Sequence, residues 1–432
     1  MNTGGYRPRV VWAWALYDFA NSAFTTLVVT FVYAAFFTQA IAPDPVSGTA
    51  LWSRAVTASG IIVALLSPYL GALADQGGYR KRFLLAVTVL CVLATAALYF
   101  PLPGQVMTAL VLFTVANVAF ELGNVFYNAF LPDLAPPHRI GRISGYGWAL
   151  GYVGGLLCLV VALVAFIQPE VPLFGFSRDD YANVRATNLL VALWYGLFSL
   201  PLFFWVPEQR PAVRPAVRTI FQQATRQLVG TFREVRRYRQ VMRLLLARLL
   251  YNDGLLTIFA FGGIYAAGTF GFEADELIVF GIVINVAAGL GAWLFGFVDD
   301  WLGGKRTLML SLLGLSAACL LAVLTTSRTL FWIAALLIGI CAGPNQSASR
   351  SLLGRFTPSR KCNEFYGFFA FSGKAIAFLG PLLLGLVTDW TGSQRVGVST
   401  VLLFFGAGMV LLARVDETEG MQSAQETAPN GT

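Results

Sequence analysis

Gly71-Ala-Leu-Ala-Asp75-Gln-Gly-Gly78-Tyr-Arg80-Lys-Arg82 returns 225 positions downstream as Gly296-Phe-Val-Asp-Asp300-Trp-Leu-Gly303-Gly-Lys305-Arg306. Glycine, carboxylate, glycine and base keep the same offsets in both copies: Gly71, Asp75, Gly78, Arg80 and Gly296, Asp300, Gly303, Lys305. Each copy sits between two long apolar segments. A motif retained this way in two halves of one chain indicates a duplicated membrane unit with the same loop in each copy.

Composition sets the class. The 432 residues are 57% hydrophobic and 12% charged, against about 45–50% apolar and 25% charged in soluble domains. Spanning helices need about 17–25 mostly apolar residues. The sequence offers twelve such segments, near 11–40, 50–73, 83–100, 105–131, 143–168, 187–206, 242–268, 275–298, 307–326, 329–349, 364–388 and 396–413. Barrel strands would be about ten residues long and alternating, so an all-α integral membrane fold is predicted. The first segment carries Asp18 and no small-residue cleavage site, and reads as an uncleaved helix.

Twelve spans put both termini on one side. That side would hold 23 of the 30 lysines and arginines and the opposite loops four, Arg178, Arg185, Arg328 and Arg395. The positive-inside rule then predicts cytoplasmic termini, and the net charge of +8 reads as a topogenic signal rather than a nucleic-acid footprint. The predicted organisation is a six-helix bundle at 1–206, a basic cytoplasmic linker at 207–241, a second bundle at 242–414 and a disordered tail at 415–432. Within the linker, Ile220, Phe221, Ala224, Leu228, Phe232 and Val235 have helical spacing, suited to lying on the inner leaflet with arginines toward anionic headgroups. A regulatory or partner-binding role is the alternative for this helix.

Ionised groups near the bilayer centre cost roughly 2.5–3.5 kcal/mol on insertion scales, so each retained one calls for a partner, a wet cavity or a function. Asp18, Glu121, Arg248, Asp253 and Lys374 lie inside spans, with Glu364 at the mouth of the eleventh. If each half contains two three-helix repeats, spans 1, 4, 7 and 10 are equivalent. They carry Asp18 and Asn21; Asn117, Glu121, Asn124 and Asn128; Arg248, Asn252 and Asp253; Asn345 and Gln346. The 4, 3, 4 spacing in span 4 puts its four polar residues on one helix face. This pattern predicts a central polar cavity between the halves. Interhelical hydrogen bonds that merely hold the bundle together are the structural alternative. Asn21, Asn117, Asn124, Asn128, Asn252, Asn345, Gln346, Asp18 and Lys374 are the candidate substrate ligands, Glu121 and Asp253 the candidate proton sites, and Arg248 and Glu364 candidate ion-pair partners. Gly147, Gly151 and Gly155 make a smooth face for close packing, and Gly373, Gly380 and Pro381 a bendable stretch.

Two six-helix halves with this loop between their second and third helices resemble the major facilitator superfamily, although a base usually follows the aspartate where this chain has Gln76 and Trp301. On that resemblance Gly71, Asp75, Gly78, Arg80 and Arg82, with Gly296, Asp300, Gly303 and Lys305, belong to a gating latch. Physically, a helix-end carboxylate near bases makes charge-assisted bonds that hold one conformation and release in another. A static helix-end salt bridge is the plainer alternative.

Further strings resemble the vacuole effluxer family, the autophagy-related branch with many bacterial members. They are Leu16-Tyr-Asp18-Phe-Ala-Asn21-Ser-Ala-Phe24, Phe126-Tyr-Asn128-Ala-Phe-Leu-Pro-Asp133, Ser144-Gly-Tyr-Gly-Trp-Ala-Leu-Gly-Tyr-Val-Gly-Gly155, Leu250-Tyr-Asn252-Asp253-Gly254, Gln346-Ser-Ala-Ser349-Arg350-Ser351, and Glu364-Phe-Tyr-Gly-Phe-Phe-Ala-Phe-Ser-Gly373-Lys374. This resemblance implies secondary active export of a small polar solute, amino acids being the class for fungal members, from a bacterial inner membrane. Protons are the expected coupling ion. No cofactor, metal or nucleic-acid partner is called for, and a monomer is expected. An exporter of drugs or organic anions, or a non-transporting receptor of the same fold, would share these features. No Ser/His/Asp set, HExxH or phosphate-binding loop points to an enzyme.

Overall fold

A computed structural model describes residues 7–208, 217–234 and 237–426. Twelve helical spans run α1 (Pro8–Ile41), α2 (Pro45–Gly77), α3 (Arg80–Ala97), α4 (Val106–Asn128), α5 (Ile140–Ala162) and α6 (Ala182–Trp205), then α7 (Arg239–Phe270), α8 (Ala274–Leu302), α9 (Gly304–Leu324), α10 (Arg328–Phe356), α11 (Ser359–Thr391) and α12 (Gln394–Ala413). Eleven of these regions are long and apolar enough to cross a membrane by composition alone. The other, α3, is 18 residues long and opens with three consecutive bases, Arg80-Lys81-Arg82, ahead of its apolar run.

Local chemistry sets the helix ends. Asp44 caps α2 by accepting from the N–H groups of Val46 and Ser47, with Pro45 at the first helical position. Gly78 ends α2 at φ +60° and Gly303 separates α8 from α9 at φ +92°. These are the glycines at the third place of the repeated motif, where the chain must turn in a conformation that a side chain would strain. α11 is broken: it is helical over Cys362–Lys374 and again over Leu379–Thr391. The break falls within the stretch bounded by Gly373 and Gly380-Pro381 that sequence marks as bendable.

Spans α1–α6 and α7–α12 form two six-helix groups. Each buries small residues against neighbours: within the first, an added Cβ at Gly151 would meet Ser22 and one at Gly155 would meet Thr26, both on α1. The five cysteines are free and buried.

Two expectations are corrected. The segment after Arg414 is not disordered throughout: Glu417–Glu426 is a helix, with Glu419 bonded to Arg239 and Gln240 and Gly420 against Phe356. Residues 427–432 lie outside the described residues. The linker forms a helix over Val217–Arg233, but part of its apolar side packs on protein: Ile220 and Ala224 are buried with Ala72 and Leu73 of α2, while Phe221 is 48% exposed. Residues 209–216 and 235–236, and the Phe232 side chain, fall outside the description.

Candidate functional site

The two six-helix groups are bonded to each other at the end of the molecule that carries the repeated motifs, the basic end. Gly71, the first place of the motif, lets α2 approach α11 so closely that an added Cβ would lie 2.2 Å from the Asn363 carbonyl oxygen. Gly296 does the same on α8, 2.9 Å from Cα of Arg142 on α5. One helical turn later stands the carboxylate. Asp75 accepts hydrogen bonds from the backbone N–H groups of Asn363 (3.1 Å) and Glu364 (2.9 Å) and from the Asn363 amide (2.7 Å), at the start of α11. Asp300 accepts from the Gly141 N–H (2.9 Å), at the start of α5, and from the Arg142 guanidinium. Both aspartates thus satisfy free N–H groups at a helix N-terminus in the opposite half, where the helix dipole favours an anion.

Charge surrounds the two copies differently. Asp299, next to Asp300, makes a buried ion pair with Arg355 of α10 (2.6 Å) and accepts from the Ser351 hydroxyl. Arg355 also donates to the Pro137 carbonyl of the first half (3.1 Å) and lies 3.8 Å from Glu417 of the tail helix. Around Asp75, Arg80 instead pairs with Asp133 (2.6 Å), Arg82 lies over the Tyr79 ring, and Lys305 in the second copy reaches the Ala413 carbonyl. The motif bases therefore hold neighbouring helix ends and loops, while the aspartates cross between the halves.

A second layer lies deeper. Arg350 of α10 is 3% exposed and enters the first half. Its guanidinium pairs with Asp18 (3.0 Å), donates to Asn128 (3.0 Å) and to the Ser144 hydroxyl and carbonyl, and stacks near Trp14, Tyr127 and Trp148. Gly147 leaves room for it, since an added Cβ there would lie 2.8 Å from the guanidinium. Sequence reading placed Arg350 among the bases flanking span 10. Helix α10 continues to Phe356, which draws Arg350 inside.

Above this, at the middle of the bundle, Lys374 of α11 pairs with Glu121 of α4 at 2.7 Å, with 29% and 19% of the two side chains exposed. At about 1.5 Å per residue, Lys374 stands ~18 Å from the start of its helix and Glu121 ~10 Å from the end of its own. Two amide pairs accompany them: Asn21 with Asn124 (3.1 Å), joining α1 to α4, and Gln346 with Asn252 (3.4 Å), joining α10 to α7. Asn21 and Asn252 occupy the same place in equivalent spans, each thirteen residues past the helix start. Among the described residues, hydrogen bonds and ion pairs between the halves occur from this level to the basic end. Beyond Lys374, the second piece of α11 packs within its own half, so that α2 and α11 part toward the opposite face.

Other candidates serve different structural ends. Asn117 donates to Ser59 and Asn345 to Ser311, bonds within one half. Asp18 and Asn128 are engaged by Arg350. Arg248 forms no ion pair among the described residues: it donates to the Phe369 carbonyl (2.8 Å) and the Ser372 hydroxyl (3.0 Å) and lies 3.6 Å over the Phe369 ring. Asp253, 1% exposed, accepts from the Gly380 N–H (2.9 Å) at the break in α11. Glu364, also expected in an ion pair, instead accepts from the Gln227 amide of the linker helix. These differences share a cause: sequence gives the depth of a charge, whereas helix rotation decides which neighbour it meets.

The fold matches that of solved transporters: the human organic anion transporter MFSD10 (TM-score 0.72, 16% identity, 94% of this chain and 99% of that one) and the proton:xylose symporter XylE (TM-score 0.73, 15% identity, 98% of each). The MFS-type transporter YxiO of Bacillus subtilis is 31% identical over 418 residues, 96% of each chain. Fold and relatives define a membrane transporter of the major facilitator type rather than an enzyme. Residues 45–425 match the model of the "Vacuole effluxer Atg22 like" family, and the chain belongs to that family.

Proposed function

We propose that this chain is a secondary active exporter of a small zwitterionic solute, with amino acids as the substrate class and protons as the coupling ion. It works by alternating access in a bacterial inner membrane, with the basic end, both termini and the linker helix in the cytoplasm. The carrying observation is the Glu121–Lys374 pair, which joins the halves at mid-depth while remaining partly exposed. A zwitterion supplies both charges needed to separate it, its ammonium to Glu121 and its carboxylate to Lys374. Occupancy then replaces a bond between the halves, and the amides of Asn124 and Gln346 stand within the same layer to orient the solute. A ligand shifts the equilibrium between conformations only by its differential affinity, and this exchange provides one. Glu121 is the carboxylate placed to take a proton when the solute leaves. Asp253 is the second candidate, with one buried oxygen that has no hydrogen-bond partner.

Proteoliposomes with an imposed pH gradient test this reading. Uptake or counterflow of amino acids is expected, with Lys374→Ala and Glu121→Gln abolishing it and organic anions failing to compete. Transport of anions but not zwitterions would move the substrate class. If Glu121→Gln and Asp253→Asn both leave pH-driven flux intact, proton coupling through these groups is excluded.

A further inference from the structure

The linker helix touches both halves at the Asp75 gate. Its polar residues divide between them: Thr225 lies 3.5 Å from the Tyr69 hydroxyl of α2, whereas Thr231 accepts from the Lys361 ammonium at the start of α11 (2.9 Å). Between these, the Gln227 side chain accepts from the Gln76 amide of α2 through its oxygen and donates to the Glu364 carboxylate of α11 through its nitrogen. Gln227 and Thr231 are four apart, and so lie on one face of the helix. Ile220 and Ala224 fix that helix to α2.

Gln76 follows Asp75 directly, where the superfamily motif usually carries a base. Its neighbour across the gate is a wholly buried carboxylate, Glu364, 0% exposed, with no ion-pair partner among the described residues and with Oε1 lacking any hydrogen-bond partner. A buried carboxylate without a cation is costly unless hydrogen-bonded. We infer that Gln227 is a positioning residue for transport: through a Gln76–Gln227–Glu364 relay it stands in for the missing base and holds the basic-end gate shut. One amide can span α2 and α11 only while they are together, so the relay must break each time the halves part. Among the described residues, the helix added at the second copy is the tail helix, whose Glu417 bonds Gly304 and Lys305 within its own half. Trp301, the equivalent of Gln76, is 82% exposed, and this gate is bridged by the Arg142–Asp300 ion pair.

This inference rests on the alternating-access reading but is tested without substrate. Nitroxide labels at His138→Cys, ahead of α5, and Ser359→Cys, at the start of α11, both exposed at the basic end of the two halves, report the closed and open populations by electron–electron distance measurement in nanodiscs. Gln227→Ala is expected to lower the closed-to-open ratio about 10-fold or more, the scale of one neutral hydrogen bond together with one to a buried carboxylate. Adding Gln76→Arg, which gives Glu364 a charge-assisted partner directly, is expected to restore the ratio. An unchanged ratio in Gln227→Ala overturns the inference. So does a loss that Gln76→Arg fails to restore while Gln76→Arg alone stays closed, because the helix would then act by packing only. Failure of solute transport with the relay intact would count against the transport reading instead.

Discussion

The Asp75 and Asp300 gates are two copies of one device, and they differ in what compensates their charge. Each aspartate caps a helix of the opposite half, and each is preceded by a glycine that permits the approach. Around Asp300 the closure is ionic: Arg142 bonds Asp300 across the gate, and the buried Asp299–Arg355 pair braces it from within the second half, with 2% and 4% of its side chains exposed. Around Asp75 the contacts across the gate are backbone N–H groups and amides, with the linker helix added. Duplication preserved the geometry of capping and let the electrostatics diverge. The ionic gate is the more sensitive to loss of one partner, since an abandoned buried charge costs more than a lost neutral bond.

The largest expected effect is therefore at Arg355. Arg355→Ala leaves Asp299 buried without its cation inside the second half and is expected to lower thermal stability by about 3–5 kcal/mol, with a smaller loss of closed state in the distance measurement from the missing bond to the Pro137 carbonyl. Replacing both partners, Asp299→Asn with Arg355→Met, should recover much of that loss. A double variant as unstable as the single one would break the argument from uncompensated charge. At Arg350, Lys keeps the charge but loses the planar fork that serves Asp18, Asn128 and Ser144 together. Arg350→Lys is expected to cost about 1–3 kcal/mol of closed state, measured by the label distances. Next comes the direct comparison of copies: Asp300→Asn is expected to cost about 1.5–3 kcal/mol and Asp75→Asn about 1 kcal/mol, because only the first removes a charged partner from an arginine across the gate. Equal losses would mean that helix capping, not ion pairing, dominates both. The smallest effect is expected in the tail, where Glu417 accepts from the N–H groups of Gly304 and Lys305 at the start of α9. Glu417→Gln should lower thermal stability by about 0.3–1 kcal/mol, and by less at high salt.

Legibility in the sequence followed the same division. The helix-end aspartates and their glycines were readable because a fixed offset along a helix is a fixed direction in space. Glu121 and Lys374 were readable as costly charges at depth, but their pairing was not. Arg350 escaped because it stands where apolar sequence gives way to the basic loop, and nothing local signals that α10 runs a further turn and a half. Arg248, read as an ion-pair partner, met a carbonyl and a hydroxyl instead, and Asp253, read as a proton site, lies against the break in α11. The tail's acidic, small-residue composition hid a helix whose contacts come from three other segments, α7, α9 and α10.

Sequence by itself determined the membrane class, the twelve spans, the duplication and the places where the chain must turn or approach closely, since these depend on hydrophobic length and local backbone chemistry. Only the tertiary structure decided which charges meet, that the basic end is the closed one, and that the linker helix touches both halves beside the Asp75 gate. Those outcomes depend on the rotation and register of helices hundreds of residues apart, where a few degrees exchange one partner for another.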